Sequence, residues 1–154
     1  MMGIFDVYLG KQKSLASKNS DKSVSKILVK DIMSKQLITA QFHTTVYQIS
    51  KMMEQGIGAV LVKKDSVTMG IITDRDFAIK VAANRCSLDM PVGEIASFPL
   101  QTIGPNQSIL DAAKQMSSKK IRKIAVVEDS KVIGIITSSD LINQLAAISK
   151  EIEI

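Results

Sequence analysis

The sequence predicts an α+β fold of two tandem β-α-β-β-α repeats that pack as one pseudo-symmetric module. Two observations lead to this class. First, the tetrapeptide Gly-Ile-Ile-Thr occurs at 70–73 and again at 134–137, which indicates an internal duplication. Second, apolar residues follow a helical period in some segments and form short runs bounded by turn residues in others. Because 45% of the 154 residues are apolar and only 4% are aromatic, the predicted core is aliphatic.

The duplication extends well beyond the tetrapeptide. Residues 57–76 align without a gap to residues 121–140, at an offset of 64. Closer to the N-terminus the offset is 63, so that Leu37 corresponds to Leu100. One residue inserted near Lys119–Lys120 accounts for the change. The chain is therefore a tail followed by two units of roughly 50 residues, each small for independent stability.

Each element of the first unit is predicted from its local pattern. The helical period predicts an amphipathic helix that buries Val46, Ile49, Met52 and Met53. The polar residues 64–66 separate two apolar runs and predict a hairpin turn between two strands. The predicted elements are, in chain order, a helical turn (Lys30–Met33), an extended segment (Leu37–Thr39), the amphipathic helix (Val46–Met53), two strands (Ala59–Val62 and Val67–Ile72) and a closing helix (Arg75–Ala83).

The second unit repeats this order. Ile109, Ala112, Ala113 and Met116 share one face of its amphipathic helix, and residues 128–130 are its predicted hairpin turn. Two such units packed sheet to sheet are expected to bury one shared aliphatic core. The remaining predicted elements lie at Val92–Ala96, Leu100–Ile103, Ile124–Val127, Val132–Ile136 and Ser139–Ile148.

Positive charge is concentrated in a predicted mobile tail, residues 1–26, which is rich in Lys and Ser. Residues 1–30 hold six Lys and two Asp, a net charge of +4, so the rest contributes only +1 of the total +5. We therefore expect no nucleic-acid binding except through the tail. The predicted repeats are 27–86 and, with a C-terminal helix, 87–154.

A single Cys (Cys86) and a single His (His43) limit the possible chemistry. They exclude a disulfide framework within one chain and a zinc site built from several Cys or His ligands. No base lies near the thiol in sequence, so we expect no enzyme, no catalytic residue, no catalytic cofactor and no metal site. The N-terminus lacks a basic start, and no apolar run is long enough to cross a bilayer. We therefore expect a cytoplasmic protein without a membrane segment.

These features together resemble a known family. The β-α-β-β-α order, its duplication, and the segments GIITDRDF and GIITSSDL at the end of each third strand look like a pair of cystathionine beta-synthase (CBS) domains. The resemblance covers residues 27–148. It implies a regulatory module that binds an adenosine-containing ligand in clefts between the two repeats and signals to a separate partner protein. AMP, ADP, ATP and S-adenosylmethionine all fit that description.

The resemblance also implies a homodimer. The last predicted helix has an apolar stripe of Leu141, Leu145, Ile148 and Ile152, which needs a surface to pack against. That surface is either the helix's own module or a second copy of the chain. We expect the second copy, because the resemblance favours it.

Candidate ligand residues follow from the residues and the resemblance together. A carboxylate in the first helical turn can accept both ribose hydroxyls, and helix-start N–H groups with a Thr hydroxyl suit a phosphate. The residues expected to bind ribose and phosphate are Thr73, Arg75 and Asp76 in the first repeat and Thr137, Ser139 and Asp140 in the second. The resemblance implies that adenine is held near Ile38, Thr39, Ala40, Ile57, Gly58, Ala59, Thr102, Ile103 and Ile121. It also implies that Arg122 and Lys123 supply positive charge to phosphate.

The same pattern has an interpretation without a ligand. Thr-x-x-Asp is a helix capping box, and the chain uses related boxes at Ser108–Asp111 and Thr45–Gln48. The basic residues then form a solvated rim. On this interpretation the protein is a dimeric interaction scaffold that binds no ligand.

Overall fold

The structure, a computed structural model, describes residues 24–152. The predicted tail at 1–26 lies outside the described residues except for its last three positions, where Val24 is buried. Two β-α-β-β-α repeats follow in chain order, which confirms the predicted α+β class.

The first repeat contains the elements that the sequence predicts, with bounds that differ by a few residues. Its closing helix, predicted at Arg75–Ala83, begins at Asp74 and changes from an α-helix to a π-helix after its first turn. Such π-helical segments are rare and often lie at functional sites. The elements are α1 (Val29–Ile32), β1 (Thr39–Gln41), α2 (Val46–Glu54), β2 (Ala59–Lys64), β3 (Val67–Thr73), α3 (Asp74–Asp76) and the π-helix (Phe77–Ala82).

The second repeat has the same order with two local differences. The counterpart of α1 is a turn of 3-10 helix at Val92–Glu94. The closing helix is a regular α-helix that runs past its predicted end at Ile148. The elements are β4 (Thr102–Ile103), α4 (Ile109–Lys119), β5 (Lys123–Glu128), β6 (Lys131–Thr137) and α5 (Ser138–Ile152).

Each repeat forms its own three-stranded sheet, in the orders β1-β2-β3 and β4-β5-β6. In both sheets the first pair is parallel and the second antiparallel. The inserted residue lies at the end of α4, as predicted. Gly56 after α2 and Lys120 after α4 are equivalent left-handed positions, with φ of 89° and 53°. The helix that precedes Lys120 is two residues longer than α2, 11 against nine. The loop after it is one residue shorter, 120–122 against 55–58, so the net insertion is one residue.

Residues 27–34 of the first repeat, which we call the first crossing segment, pack on the second repeat. The Val29 N–H donates to the carbonyl of Gln107 at 2.9 Å. Ser34 and Ile135 exchange two backbone hydrogen bonds, each 2.9 Å long. The segment therefore adds to the β6 edge of the other repeat's sheet.

Residues 90–97, the second crossing segment, make the equivalent contacts with the first repeat. The Val92 N–H donates to the carbonyl of Thr44 at 2.8 Å. Ser97 and Ile71 exchange two backbone hydrogen bonds of 2.8 and 3.2 Å. The exchange is reciprocal, so each repeat completes the sheet edge of the other.

The glycines of the repeated tetrapeptide, Gly70 and Gly134, lie where the crossing segments pass. A Cβ at Gly70 would lie 2.5 Å from the carbonyl oxygen of Ser97. A Cβ at Gly134 would lie 2.5 Å from the Sδ of Met33 and 2.9 Å from the carbonyl oxygen of Ser34. These approaches are too close for any side chain, which explains why glycine recurs at this position.

The buried apolar residues form two clusters, so the prediction of one shared core was wrong. One cluster lies in each repeat, and each includes residues from the crossing segment of the other. Val92 and Ile95 belong to the core of the first repeat, and Val29 belongs to that of the second. The crossing segments therefore cover the apolar surface that the two sheets would otherwise share.

Candidate functional site

Two clefts lie between the repeats, and each is lined by residues of both. The first cleft is a cavity of about 390 Å³, where residues 73–76 of the first repeat meet Ser97 and residues 99–101 and 119–123 of the second. The second cleft, about 300 Å³, has the inverse arrangement: the end of β6 meets parts of the first repeat. Both volumes suit a small-molecule ligand.

The structure brings most of the predicted ligand residues into these clefts. Those that line the first cleft are Thr73, Arg75, Asp76, Ile121, Arg122 and Lys123. Those that line the second are Ile38, Ile57, Gly58, Ala59, Thr137 and, again, Lys123. Those that line neither cleft are Thr39, Ala40, Thr102, Ile103, Ser139 and Asp140.

The residues outside the clefts have other positions in the fold. Thr39 pairs with Leu61 in the first sheet, and Thr102 pairs with Ala125 in the second. Ile103 is buried in the core of the second repeat. The cleft linings include residues just before these strands, Ile38 before β1 and residues 99–101 before β4.

Asp76 uses both of its carboxylate oxygens. Its Oδ2 accepts hydrogen bonds from the Thr73 N–H at 2.8 Å and from the Thr73 hydroxyl at 2.9 Å. Its Oδ1 accepts from the Ser97 hydroxyl at 3.1 Å and lies 3.3 Å from the Nζ of Lys80. The bond from the Thr73 N–H, together with the bond that the Asp76 N–H donates to the Thr73 hydroxyl oxygen at 3.3 Å, forms the predicted capping box. The bond from Ser97 joins the first repeat to the second crossing segment. The carboxylate also borders the first cleft, so capping and ligand contact are compatible.

Asp140, its counterpart, has only half of these contacts. Its Oδ2 accepts from the Thr137 N–H at 2.7 Å and from the Thr137 hydroxyl at 2.8 Å. Within residues 24–152, no hydrogen bond or ion pair reaches its Oδ1. Gln144 occupies the position of Lys80, so the second repeat has no cation at this point. The two repeats therefore differ at the residue pattern that they share most closely.

One end of the first cleft is basic. Lys119 donates a hydrogen bond to the side-chain oxygen of Gln101, and Lys123 Nζ lies 3.8 Å from Oδ1 of Asp74. Three further cations, the side chains of Arg75, Lys120 and Arg122, make no hydrogen bond or ion pair with any described residue. Unpaired cations that line a cavity favour an anionic occupant.

Apolar side chains line other parts of the same cleft. A flat aromatic ring can pack against such a surface, while the neighbouring backbone supplies hydrogen bonds. The first cleft is thus amphipathic, with apolar, carboxylate and cationic parts in one cavity. Its apolar lining is Ile71, Ile79, Pro99, Leu100, Ile121 and Ala125.

The site prediction missed residues at the end of each crossing segment and directly after it. Ser97 and Pro99 line the first cleft, and Ser34 and Gln36 line the second. The available signal was the offset of 63 that relates Ser34 to Ser97. That spacing shows equivalence of the two segments, but nothing in it tells which repeat each segment packs against.

The single thiol and the single imidazole, Cys86 and His43, line neither cleft. Cys86 is partly buried against the first core, and its Sγ donates to the carbonyl of Lys80 at 2.9 Å. His43 is exposed. Among the described residues, no group of three His, Cys, Asp or Glu side chains could hold a metal ion. No helix within residues 24–152 has the length and apolar character to span a membrane.

A tandem α+β repeat with two ligand-sized clefts between its halves defines a class of paired binding domains. Residues 29–83 and 92–147 each match the CBS domain family, and the chain belongs to that family. The chain is 33% identical to CBS domain-containing protein YhcV of Bacillus subtilis over 120 residues, which are 77% of this chain and 86% of that protein.

Solved structures show the same fold. An uncharacterized conserved protein from Pyrococcus horikoshii superposes with a TM-score of 0.74 at 30% identity, over 78% of this chain and 92% of that one. The CBS domain pair of protein MJ0100 superposes with a TM-score of 0.69 at 29% identity, over 78% and 96%. That structure is a complex with 5'-methylthioadenosine and S-adenosyl-L-methionine.

Proposed function

We propose that this CBS pair is a regulatory module that binds an adenosine-containing nucleotide in the clefts between its repeats. The observation that carries the proposal is the composition of the first cleft. Thr73 and Asp76 of the first repeat share one cavity with the basic residues 119–123 of the second. Ribose hydroxyls donate to a carboxylate, and phosphate accepts from lysine and arginine, so both chemistries of a nucleotide are present.

The apolar lining of the first cleft supports an adenine base. Ile79 projects from the π-helix, and Leu100 and Ile121 come from the second repeat, so apolar surface is contributed by both repeats. The MJ0100 pair, which is similar to this chain, forms a complex with two adenosine derivatives. That similarity supports adenosine as the common part of the ligand. The candidate ligands are AMP, ADP, ATP and S-adenosylmethionine.

Regulation follows from a ligand that contacts both repeats. A ribose hydroxyl at Asp76 would compete with the Ser97 hydroxyl for Oδ1 and so alter how the second crossing segment is held. The module has no catalytic role in this proposal, and it passes the signal to a separate partner protein in the cytoplasm. Leu141, the first residue of the predicted stripe, packs against the core of its own repeat. Ile142 and Leu145 on α5 are 63% and 51% exposed, and we assign this exposed apolar face to a homodimer contact.

A non-binding scaffold is the second candidate, because the capping boxes are complete without a ligand. Asp76 and Asp140 both bond the Thr three residues before them, as Asp111 bonds Ser108 at a position remote from either cleft. On this alternative, replacing Asp76 changes stability and nothing else.

Calorimetric titration with AMP, ATP and S-adenosylmethionine in one buffer tests the proposal. We expect saturable binding of at least one ligand, which Asp76→Asn weakens about tenfold or more because the amide presents one acceptor fewer to the ribose. Asp111→Asn is the matched control, since it alters the same kind of capping box outside both clefts.

Circular dichroism establishes that both variants stay folded. An absence of heat and of thermal stabilisation with all three ligands would favour the scaffold. Equal loss of affinity in the two variants would instead contradict a direct contact between Asp76 and the ligand.

A further inference from the structure

Because the two repeats are related by pseudo-symmetry, the charged residues of the first cleft can be compared with the equivalent residues of the other repeat. Among residues 24–152, five cations line the first cleft, and two carboxylates, Asp74 and Asp76, accompany them, which leaves an excess of three positive charges. At the offset of 64, every one of these cations corresponds to an uncharged residue. The pairs are Lys119 with Gln55, Lys120 with Gly56, Arg122 with Gly58, Lys123 with Ala59, and Arg75 with Ser139.

The positive charge of the first cleft is therefore a local feature and not a property of the fold. The structural role of the α4–β5 loop needs no cation, because glycines, Gly56 and Gly58, stand at the corresponding positions of the first repeat. Lys120 has a left-handed φ of 53°, a backbone conformation that is less strained for glycine than for a residue with a side chain. A lysine at a position that favours glycine points to a use for its charge.

The contacts within the cleft leave that charge available. Both carboxylates already have cationic neighbours, since Lys80 lies 3.3 Å from Asp76 and Lys123 lies 3.8 Å from Asp74. Lys80 does not itself line the cleft, so its pairing with Asp76 further raises the excess of positive charge near the cavity. Arg122 remains exposed, with no partner among the described residues.

We propose that the first cleft selects nucleotides with two or more phosphate groups, and that Lys119 and Lys120 are the residues that read the additional phosphates. This inference rests on the proposed nucleotide binding and specifies its ligand class. AMP brings about two negative charges, ADP about three and ATP about four, so the di- and triphosphate match the excess of three charges. Arg122 and Lys123, which the site prediction assigns to phosphate, then remain for the first phosphate.

The test compares AMP, ADP, ATP and inorganic tripolyphosphate in magnesium-free buffer of fixed ionic strength, by calorimetry on the full chain. The variant Lys119→Gln/Lys120→Gly gives the first cleft the residues of the second at these two positions. We expect ATP to bind wild type about tenfold or more tighter than AMP. In the variant this ratio should fall to about one, because ATP loses far more affinity than AMP does when the two lysines are removed.

A charge-matched control is Lys114→Gln/Lys131→Gln, because both lysines are exposed and line neither cleft. It should keep the wild-type ratio. Equal affinities of AMP and ATP for wild type would overturn this inference and leave the proposed function standing. Tripolyphosphate that binds as tightly as ATP would overturn it as well, because the cleft would then recognise the phosphate charge and not the nucleotide. Failure of all nucleotides to bind would overturn the proposed function itself.

Discussion

Asp76 of the first repeat accepts a hydrogen bond from the hydroxyl of Ser97, 3.1 Å away, in the segment that crosses over from the second repeat. The same Oδ1 lies 3.3 Å from Lys80, which also donates to Ser97 at 2.9 Å. These three side chains form a closed polar cluster beside the first cleft. The equivalent residues in the other half are Asp140, Ser34 and Gln144, which form no such cluster.

This difference predicts that substitution of the two aspartates lowers the free energy of unfolding by unequal amounts. Asp76→Ala should lower the free energy of unfolding by about 2–3 kcal/mol, because it removes a cap and leaves Lys80 and Ser97 without their acceptor. Asp140→Ala removes only a cap and should cost about 1 kcal/mol. Urea unfolding followed by circular dichroism measures both values. Equal losses would show that the cluster around Ser97 adds no stability.

The glycines of the repeated tetrapeptide should tolerate no side chain. Gly70→Ala and Gly134→Ala each place a Cβ within 3.0 Å of the passing crossing segment, so each should cost about 1–3 kcal/mol. Gly58→Ala is the matched control, since its Cβ would meet only Lys123 at 3.7 Å, an ordinary contact. Thermal unfolding of the three variants checks this prediction, and a Gly70→Ala protein as stable as wild type would contradict the observed crossing.

The stability that the N-terminal cap of α4 contributes should depend on pH. Hydrogen bonds from the Ser108 hydroxyl and N–H hold the pKa of Asp111 below its ordinary value of 3.8. Because the pKa is lower in the folded state, the ionised carboxylate stabilises the protein above pH 3.8, and this contribution is lost as the pH falls through the folded pKa. The gap in melting temperature between wild type and Asp111→Asn should therefore close in acid. A gap that is constant with pH would refute the assignment.

The exposed apolar face of α5 should hold two copies together. Replacing Ile142 and Leu145 by Glu should convert a dimer into a monomer in sedimentation velocity, because two buried charges at such a contact are costly. Glu substitutions at Asn143 and Ala146, exposed neighbours on the same helix, test whether the effect is specific to the apolar positions. A wild-type chain that sediments as a monomer at every concentration would contradict the assignment.

The element order of the fold could be predicted from sequence because each repeat carries local signals. Helical periodicity places Val46 and Ile49 on one face of α2, and both are fully buried. The capping pattern predicts the start of α4 at Ser108, where the box forms. The duplication strengthens the prediction, because each of these signals occurs once in each repeat, at a fixed offset.

The pairing between repeats could not be predicted in the same way. The contact of Ser97 with Ile71 joins residues 26 positions apart and depends on which sheet edge lies open in three dimensions. A π-helix at Phe77–Ala82 likewise has no periodic signature, since its residues also fit an α-helix. The assembly of the clefts from crossing segments was missed for that reason, although Thr73, Asp76 and Arg122 were expected ligand residues and do line one cleft.

Amide-resolved NMR of the ¹⁵N-labelled chain during titration with ATP tests most directly whether the clefts bind a nucleotide. The predicted result is a saturable shift of amides that line the first cleft from both repeats, at Ile71, residues 73–76, Ser97, residues 100–101 and residues 119–123. The hairpin turns at 64–66 and 128–130 lie outside both clefts and should stay unperturbed. An unchanged spectrum at millimolar ATP, or shifts confined to residues outside the clefts, would contradict the account.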